Sequence, residues 1–289
     1  MTEYKIKGIY RYPVKSMQGQ QIETAMLTPR GIPLDRGWAI KNERTGNIQG
    51  AKRFAGLMQC TAHYLDGTDA GLVPHVAITF PDGTVMNSDD DAINARLSDF
   101  LGAAVSLWPL QPTQDTEHYK RRDGSSDPGE DLRVQMGLGP DDPMPDFSGM
   151  SPEIMKELGE FAAPLGTYFD AYPMCVLTTA SMRKLSEMLP DAKIGVERFR
   201  PNILIDDDAG ISAFTEFDWV GKGIEIGEAR LSIDAQAPRC SMVTHPLPGY
   251  DKEMPIIKTL MKETAQNLAV YATVAKAEQV RSGDKLKLC

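Results

Sequence analysis

The stretch "APRCSMVTHPLPG" runs from Ala237 to Gly249 and sets Cys240 directly after Arg239. A neighbouring guanidinium favours the thiolate, the form that attacks electrophiles and binds soft metals. Local chemistry leaves four roles open for Cys240: buried filler, nucleophile, sulfur carrier or metal ligand. Cys60, Cys175 and Cys289 read as inert core, the usual setting of a lone thiol. No two of the four cysteines form a CxxC pair, which argues against a structural zinc site or an iron–sulfur cluster of ordinary spacing. His63, His75, His118 and His245 show no ligand spacing. His245 lies near Cys240, but "THPLPG" reads as a turn more than as the base of a Cys–His pair.

Basic residues cluster at apparent strand ends. "RYPVKS" carries Lys15 and Ser16, "LDRGW" Arg36, "AKR" Lys52 and Arg53, and "RFRPN" Arg198, Arg200 and Asn202. Most such charges are solvated surface. In "RFRPN", however, Phe199 and Pro201 fix the middle, and a rigid Arg suits bidentate recognition of a phosphate or a planar heterocycle. There is no Gly-rich phosphate loop and no GxSxG, so nucleotide-binding and ordinary hydrolase readings lack support. The net charge of −9 argues against general nucleic-acid binding. It leaves room for a local basic pocket that takes a small anion.

These residues need elements to hold them. The chain has 289 residues, 42% hydrophobic and 25% charged, the composition of a globular protein with one large or two ordinary domains. No apolar run approaches the roughly 20 residues of a membrane span. The N-terminus lacks the apolar core of a signal peptide, so a cytoplasmic, membrane-free protein is expected. Residues 1–110 read as short strands, "YKIKGIYRYPVKS", "QIETAMLTP" and "RGWAIKN" among them, separated by turn signals. One helix interrupts, with Ser88 as its cap, an apolar face of Ile93, Leu97, Phe100 and Leu101, and Gly102 as its stop. Residues 111–150 hold five Pro, five Gly and nine acidic against four basic residues. They read as a connection that either links two halves or drapes over a site. From 151 onward the reading is a helix capped by Ser151, the strand "MCVLTT", a helix capped by Ser181, the strand "NILID" and the hairpin "IEIGEARLSIDAQ". Pro238 ends that hairpin, and a helix "MPIIKTLMKETAQ" and the strands "AVYATV" and "DKLKL" follow.

The segments "GIYRYPVKSMQGQ", "LDRGWAI", "FDAYPMCVLTTASMRKL", "ERFRPNILID", "IGEARL", "APRCSMVTHPLPG" and "NLAVYATV" followed by "GD" stand in the order and spacing of the MOSC proteins. "RFRPN" with a downstream "PRC" is the most specific part. The chain resembles MOSC proteins with an N-terminal MOSC β-barrel domain, and in architecture the mitochondrial amidoxime-reducing component and its bacterial relatives. The resemblance implies a β-rich α+β fold: an N-terminal β-barrel-like domain over 1–110, the acidic connection over 111–150, and a C-terminal MOSC β-barrel with peripheral helices over 151–289.

It also implies a molybdenum cofactor, molybdopterin, with Cys240 as catalytic residue and metal ligand. By resemblance the cofactor is bound by Lys15, Ser16, Arg36 and Lys52 or Arg53 of the first half. Asp170, Ala171, Tyr172, Arg200, Asn202, Pro238, Arg239 and Tyr271 serve from the second. Two positions depart from the family pattern: Ala269 stands where Gly is usual, and Lys52 aligns where Arg is usual, with Arg53 adjacent. The implied activity is reduction of N-hydroxylated compounds (hydroxylamines, amidoximes and N-hydroxylated bases). The four-cysteine iron–sulfur domain of some bacterial relatives is absent from the 289 residues, so electrons are expected from a separate flavin or iron–sulfur protein. A sulfur carrier using a Cys240 persulfide, and a protein that stores or delivers the cofactor, are the alternatives.

Overall fold

The computed structural model describes residues 4–65, 73–122, 128–206, 210 and 212–289. Its centre is a closed barrel of seven strands. In order around the wall these are Ile203–Asp206, Met174–Thr178, Asn267–Lys276, Ala229–Pro238, Gly223–Ile226, Lys285–Leu288 and Tyr4–Arg11, which pairs back to Ile203–Asp206. Only the pair Met174–Thr178 with Ile203–Asp206 is parallel; the rest are antiparallel. The alternation expected of "ARLSIDAQA" is present: Leu231, Ile233 and Ala235 are buried and Arg230 and Gln236 are exposed. Leu231 and Ile233 meet Ile6, Met174, Val176, Ile224 and Leu286 in the barrel core. The strand stops at Pro238, which has no N–H to continue the ladder.

The first half is built of small sheets. Ile48–Gln49, Trp38–Asn42 and Val105–Pro109 form one, and Thr61–Tyr64, Val76–Thr79 and Val85–Asn87 another. The bridges Val14 to Trp38 and Gln18 to Thr61 tie both sheets to one segment, so they enclose a shared core. The two halves exchange parts. Strand Tyr4–Arg11 serves in the C-terminal barrel, and Met242 and Leu247, just beyond Cys240, are buried in the core of the first half. Each such side chain contributes about 2 kcal/mol of burial, which pins the segment after Cys240 across the interface.

Some local expectations need correction. The first long helix is Ile93–Leu101, with Ala92 and not Ser88 at its N-cap. The Ser88 hydroxyl instead accepts from the Val76 N–H at 3.0 Å, bracing a neighbouring strand. Gly102 does end the helix, at φ 65°. Helix Thr179–Met188 is capped by Thr178, whose hydroxyl accepts from the Ser181 N–H at 3.2 Å; Ser181 lies one turn inside. Ser151 caps helix Pro152–Glu160 as expected. Among its described residues the connection carries two short helices, Thr116–Tyr119 and Pro128–Met136. It runs past the end of the barrel wall, where the Met136 carbonyl accepts from Gln266 Nε2 at 2.9 Å. Residues 123–127 of the connection lie outside the described residues.

Candidate functional site: a cationic cluster beside Cys240

Cys240 follows the last residue of strand Ala229–Pro238 by two positions and precedes the short 3-10 turn Ser241–Thr244. It is partly exposed, while Cys60 and Cys175 are buried. Cys289, expected in the core, is exposed at the chain end. Burial pushes the Cys60 thiol up to about 12, which makes it inert.

Around Cys240 the fold gathers positive charge from both halves. Lys15 is buried, and its Nζ donates to the Tyr168 carbonyl and to Asp170 Oδ1, each at 2.7 Å. Burial lowers its pKa, and Asp170 partly offsets the shift. Lys52 is drawn upward by the Asp170 carboxylate, with burial opposing, and it also feels Cys240 and Arg239. Arg53, on the same turn, is exposed at the surface. Lys52 is thus in the field of the thiol.

Asp170 is densely surrounded yet 47% of its side chain remains open to solvent, as on the wall of a cleft. Burial alone would raise its carboxyl pKa; Lys15, Lys52 and Arg36 override that and hold it well below the usual carboxylate range. Arg36 pairs with buried Asp35. Asp35 in turn accepts from the Tyr12 N–H and from Asn202 Nδ2, both at 2.8 Å. Arg200 lies 4.1 Å over the Tyr12 ring, with Arg36 at 5.2 Å. Its Nη1 donates to the Met17 carbonyl, and its Nη2 is buried without a partner. Burial, with Arg36 adding repulsion, lowers its pKa to about 10. Arg239 donates from Nη2 to the Phe199 carbonyl at 2.7 Å, while its Nε is buried and unpartnered.

Among the described residues, five cations (Lys15, Arg36, Lys52, Arg200 and Arg239) therefore stand against two carboxylates, Asp35 and Asp170; Lys15 and Arg200 are buried and the other three cations partly exposed. Buried charge is costly unless paired, and buried N–H groups are costly unless bonded. The residual demand is for an anion with several acceptor oxygens. Backbone strain collects at the same place. Ser16, Arg36, Arg200 and Ala269 have φ of 70°, 54°, 54° and 74°, a region L-residues enter only when the surroundings impose it.

The remaining expected residues take definite places. The Ser16 hydroxyl accepts from the Ala51 N–H at 2.9 Å, which fixes the turn carrying Lys52. Ala171 is buried between Asp170 and Tyr172. The Tyr172 ring stacks on Tyr271 at 5.1 Å and 17°, a flat wall, and Tyr271 feels Arg239, Cys175, Asp170 and Cys240. Asn202 is 1% exposed and spends its amide on Asp35, the Tyr10 carbonyl and the Cys175 N–H, so it braces the site from behind. Pro238 ends the strand that delivers Arg239 and Cys240. Burial lowers the His245 pKa, with a hydrogen bond to the Ala51 backbone opposing. His118 bonds the Tyr168 hydroxyl at 2.8 Å within an aromatic cluster.

Asp35, Tyr12 and Gln266, whose Nε2 donates to the Arg239 carbonyl at 2.9 Å, are neighbours of the cluster that sequence reasoning missed. Asp35 sits beside Arg36 in "LDRGW", and that adjacency was the available signal. Two cavities of about 380 and 320 Å³ border the site without being lined by Cys240. One is lined in part by Tyr172 and the other by Tyr12. Among the described residues no three His, Cys, Asp or Glu side chains gather as a metal-ligand set, and no helix is long and apolar enough to cross a membrane.

Comparison with known proteins agrees with this architecture. Residues 165–287 match the family described as "MOSC domain", and residues 3–104 match "MOSC N-terminal beta barrel domain". No curated protein matches. Among solved structures, the chain is similar to YuaD of Bacillus subtilis at 10% identity, covering 99% of this chain and 95% of that one, with a TM-score of 0.41. YiiM of Geobacillus stearothermophilus matches at 16% identity and a TM-score of 0.32, over 41% of this chain and about half (54%) of that one. YiiM of Escherichia coli matches at 16% identity over 44% and 58%, with a TM-score of 0.32. With both family matches in chain order and a closed barrel behind Cys240, the protein belongs to the MOSC family, in the form that carries the MOSC N-terminal beta barrel domain.

Proposed function

We propose that this protein binds the molybdenum cofactor, with Cys240 as its protein ligand, and reduces N-hydroxylated compounds using electrons from a separate reductase. The observation that carries the reading is the surplus of positive charge, buried at Lys15 and Arg200, with unpartnered guanidinium nitrogens on Arg200 and Arg239, beside a partly exposed cysteine. That donor set fits an anionic, phosphate-bearing group which brings its own sulfur ligands, because the described residues offer the metal a lone thiolate and no cluster of ligands. When bound, the cofactor supplies two-electron oxygen-transfer chemistry at molybdenum. The overall conversion takes an N–OH group, two electrons and two protons to N–H and water.

The chain's own residues have separable tasks. Arg200 and Arg239 present orphaned N–H groups to the anionic end, and Lys15 and Lys52 add charge. The Tyr172 and Tyr271 stack offers a flat wall to a planar ring system. Lys52 stays protonated in the field of Asp170, which keeps a proton-bearing ammonium near the thiol. A persulfide carrier would use the same thiol but would have no need of a cluster of cations around it, so the cofactor reading is favoured.

The test is molybdenum and pterin content of protein from a host that makes the cofactor, with Cys240→Ser in parallel and turnover of a hydroxylamine or amidoxime with an added reductase. About one molybdenum per chain, lost or labile in Cys240→Ser, with reduction that depends on it, is the expected result. Wild-type protein free of metal and pterin would overturn the reading.

A further inference from the structure

Arg198 is among the largest fully buried side chains of the protein, at 0% exposure, and the cofactor reading leaves it without a task. Its partners are carbonyl oxygens. Nε donates to Lys193 at 2.9 Å, Nη1 to Val243 at 3.3 Å and His245 at 3.1 Å, and Nη2 to Asp251 at 2.7 Å. Three of these four acceptors lie on the segment that follows Cys240. The Tyr250 ring from the same segment lies 5.2 Å from the guanidinium. Lys193 and Glu197 extend the grip: Lys193 Nζ donates to the Gly249 carbonyl at 2.7 Å, and the Tyr250 hydroxyl donates to Glu197 Oε2 at 2.8 Å.

The residue before Cys240 hangs from the same short segment, since Arg239 Nη2 donates to the Phe199 carbonyl. Arg200 then turns the chain at φ 54° and donates to the Met17 carbonyl. Arg198 and Arg200 therefore face the loop and the cationic cluster respectively, although one residue separates them. An uncharged side chain of similar length would fill the space around residue 198 at a lower desolvation cost. What it could not do is hold three carbonyls of one irregular loop in a fixed fork.

We infer that Arg198 is the positioning residue of Cys240: by clamping residues 243–251 it sets where the thiol stands relative to Lys52, Arg200 and Arg239. Its importance for metal binding rests on the reading of Cys240 as ligand, whereas its effect on the thiol does not. The experiment compares Arg198→Lys and Arg198→Met with Leu286→Ala, a barrel-core change remote from the loop, at a temperature below all their unfolding transitions. Cofactor-free protein is alkylated with iodoacetamide, and the Cys240 rate is referred to that of exposed Cys289 in the same molecule. Molybdenum per chain is measured separately after expression in a host that makes the cofactor.

Both Arg198 variants are expected to shift the relative Cys240 rate and lower metal occupancy by about ten-fold or more. Leu286→Ala, even with an equal loss of melting temperature, is expected to leave both unchanged. An unchanged Cys240 rate in Arg198→Met, or an equal shift in Leu286→Ala, overturns the inference. Should the Arg198 variants not fold, Tyr250→Leu loosens the same loop and is read by the same two criteria. Wild-type protein without molybdenum would sink the ligand reading alone, because the alkylation rates still decide the positioning role.

Discussion

Ala269 is fully buried within strand Asn267–Lys276 and held at φ 74°. At that angle a Cβ crowds the neighbouring carbonyl, and glycine carries no such penalty. Ala269→Gly is expected to stabilise the fold by about 1 kcal/mol, the strain relieved exceeding the extra entropy of the unfolded chain. Denaturant titration checks the sign. Asp170 gives the clearest pH dependence. Its folded pKa is depressed below the unfolded value near 4, so its contribution is present above that value and fades as the pH falls below it. Asp170→Asn should therefore lower the melting temperature at pH 7, where Lys15 and Lys52 lose their shared counter-charge. The difference from wild type should shrink on acidification from about pH 4 toward pH 2. A difference that stays constant over that range would refute the assignment.

Among elements, helix Thr179–Met188 shows how a cap can also hold a buried charge. Thr178 Oγ accepts from the Ser181 N–H and lies 2.9 Å from Glu216 Oε2; the Ser181 hydroxyl lies 2.7 Å from the same oxygen. Glu216 is fully buried and its carboxyl pKa is raised by burial, with the two hydroxyls opposing. Thr178→Ala removes a cap and one of these hydroxyls, so a loss of about 1–2 kcal/mol is expected, at the upper end of cap substitutions. Urea denaturation of the variant measures it. A loss within the range of ordinary surface substitutions would show that the cap is redundant.

For the whole molecule, the exchange of parts between halves makes folding cooperative across the chain. Strand Tyr4–Arg11 pairs with both Ile203–Asp206 and Lys285–Leu288 and closes the barrel. A chain beginning at residue 12 leaves two strand edges open and loses Ile6 and Ile9 from the core. It is expected to aggregate or unfold rather than leave an intact barrel beside a damaged first half. Size-exclusion chromatography with circular dichroism distinguishes these outcomes. The same interlock explains how a protein of net charge −9 keeps a cationic cleft. Lys15, Arg36 and Lys52 come from one half, Arg200 and Arg239 from the other, and neither half holds the cluster alone.

The local pattern of the sequence determined the strands of the barrel wall, the Ser151 cap and the Gly102 stop, because period and cap chemistry are properties of adjacent residues. The pairing of Arg239 with Cys240, and the motifs that carry Lys15, Arg36 and Arg200, were equally legible. Tertiary structure decided what depends on residues far apart in the chain. It chose Thr178 over Ser181 as a cap, and it set Lys52 in the field of the thiol. It set Asn202 behind the site, and it gave Arg198 and Arg200 different partners. It also carried the first strand into the C-terminal barrel, since strand pairing over such a separation leaves no trace in local periodicity and is fixed only when both edges meet.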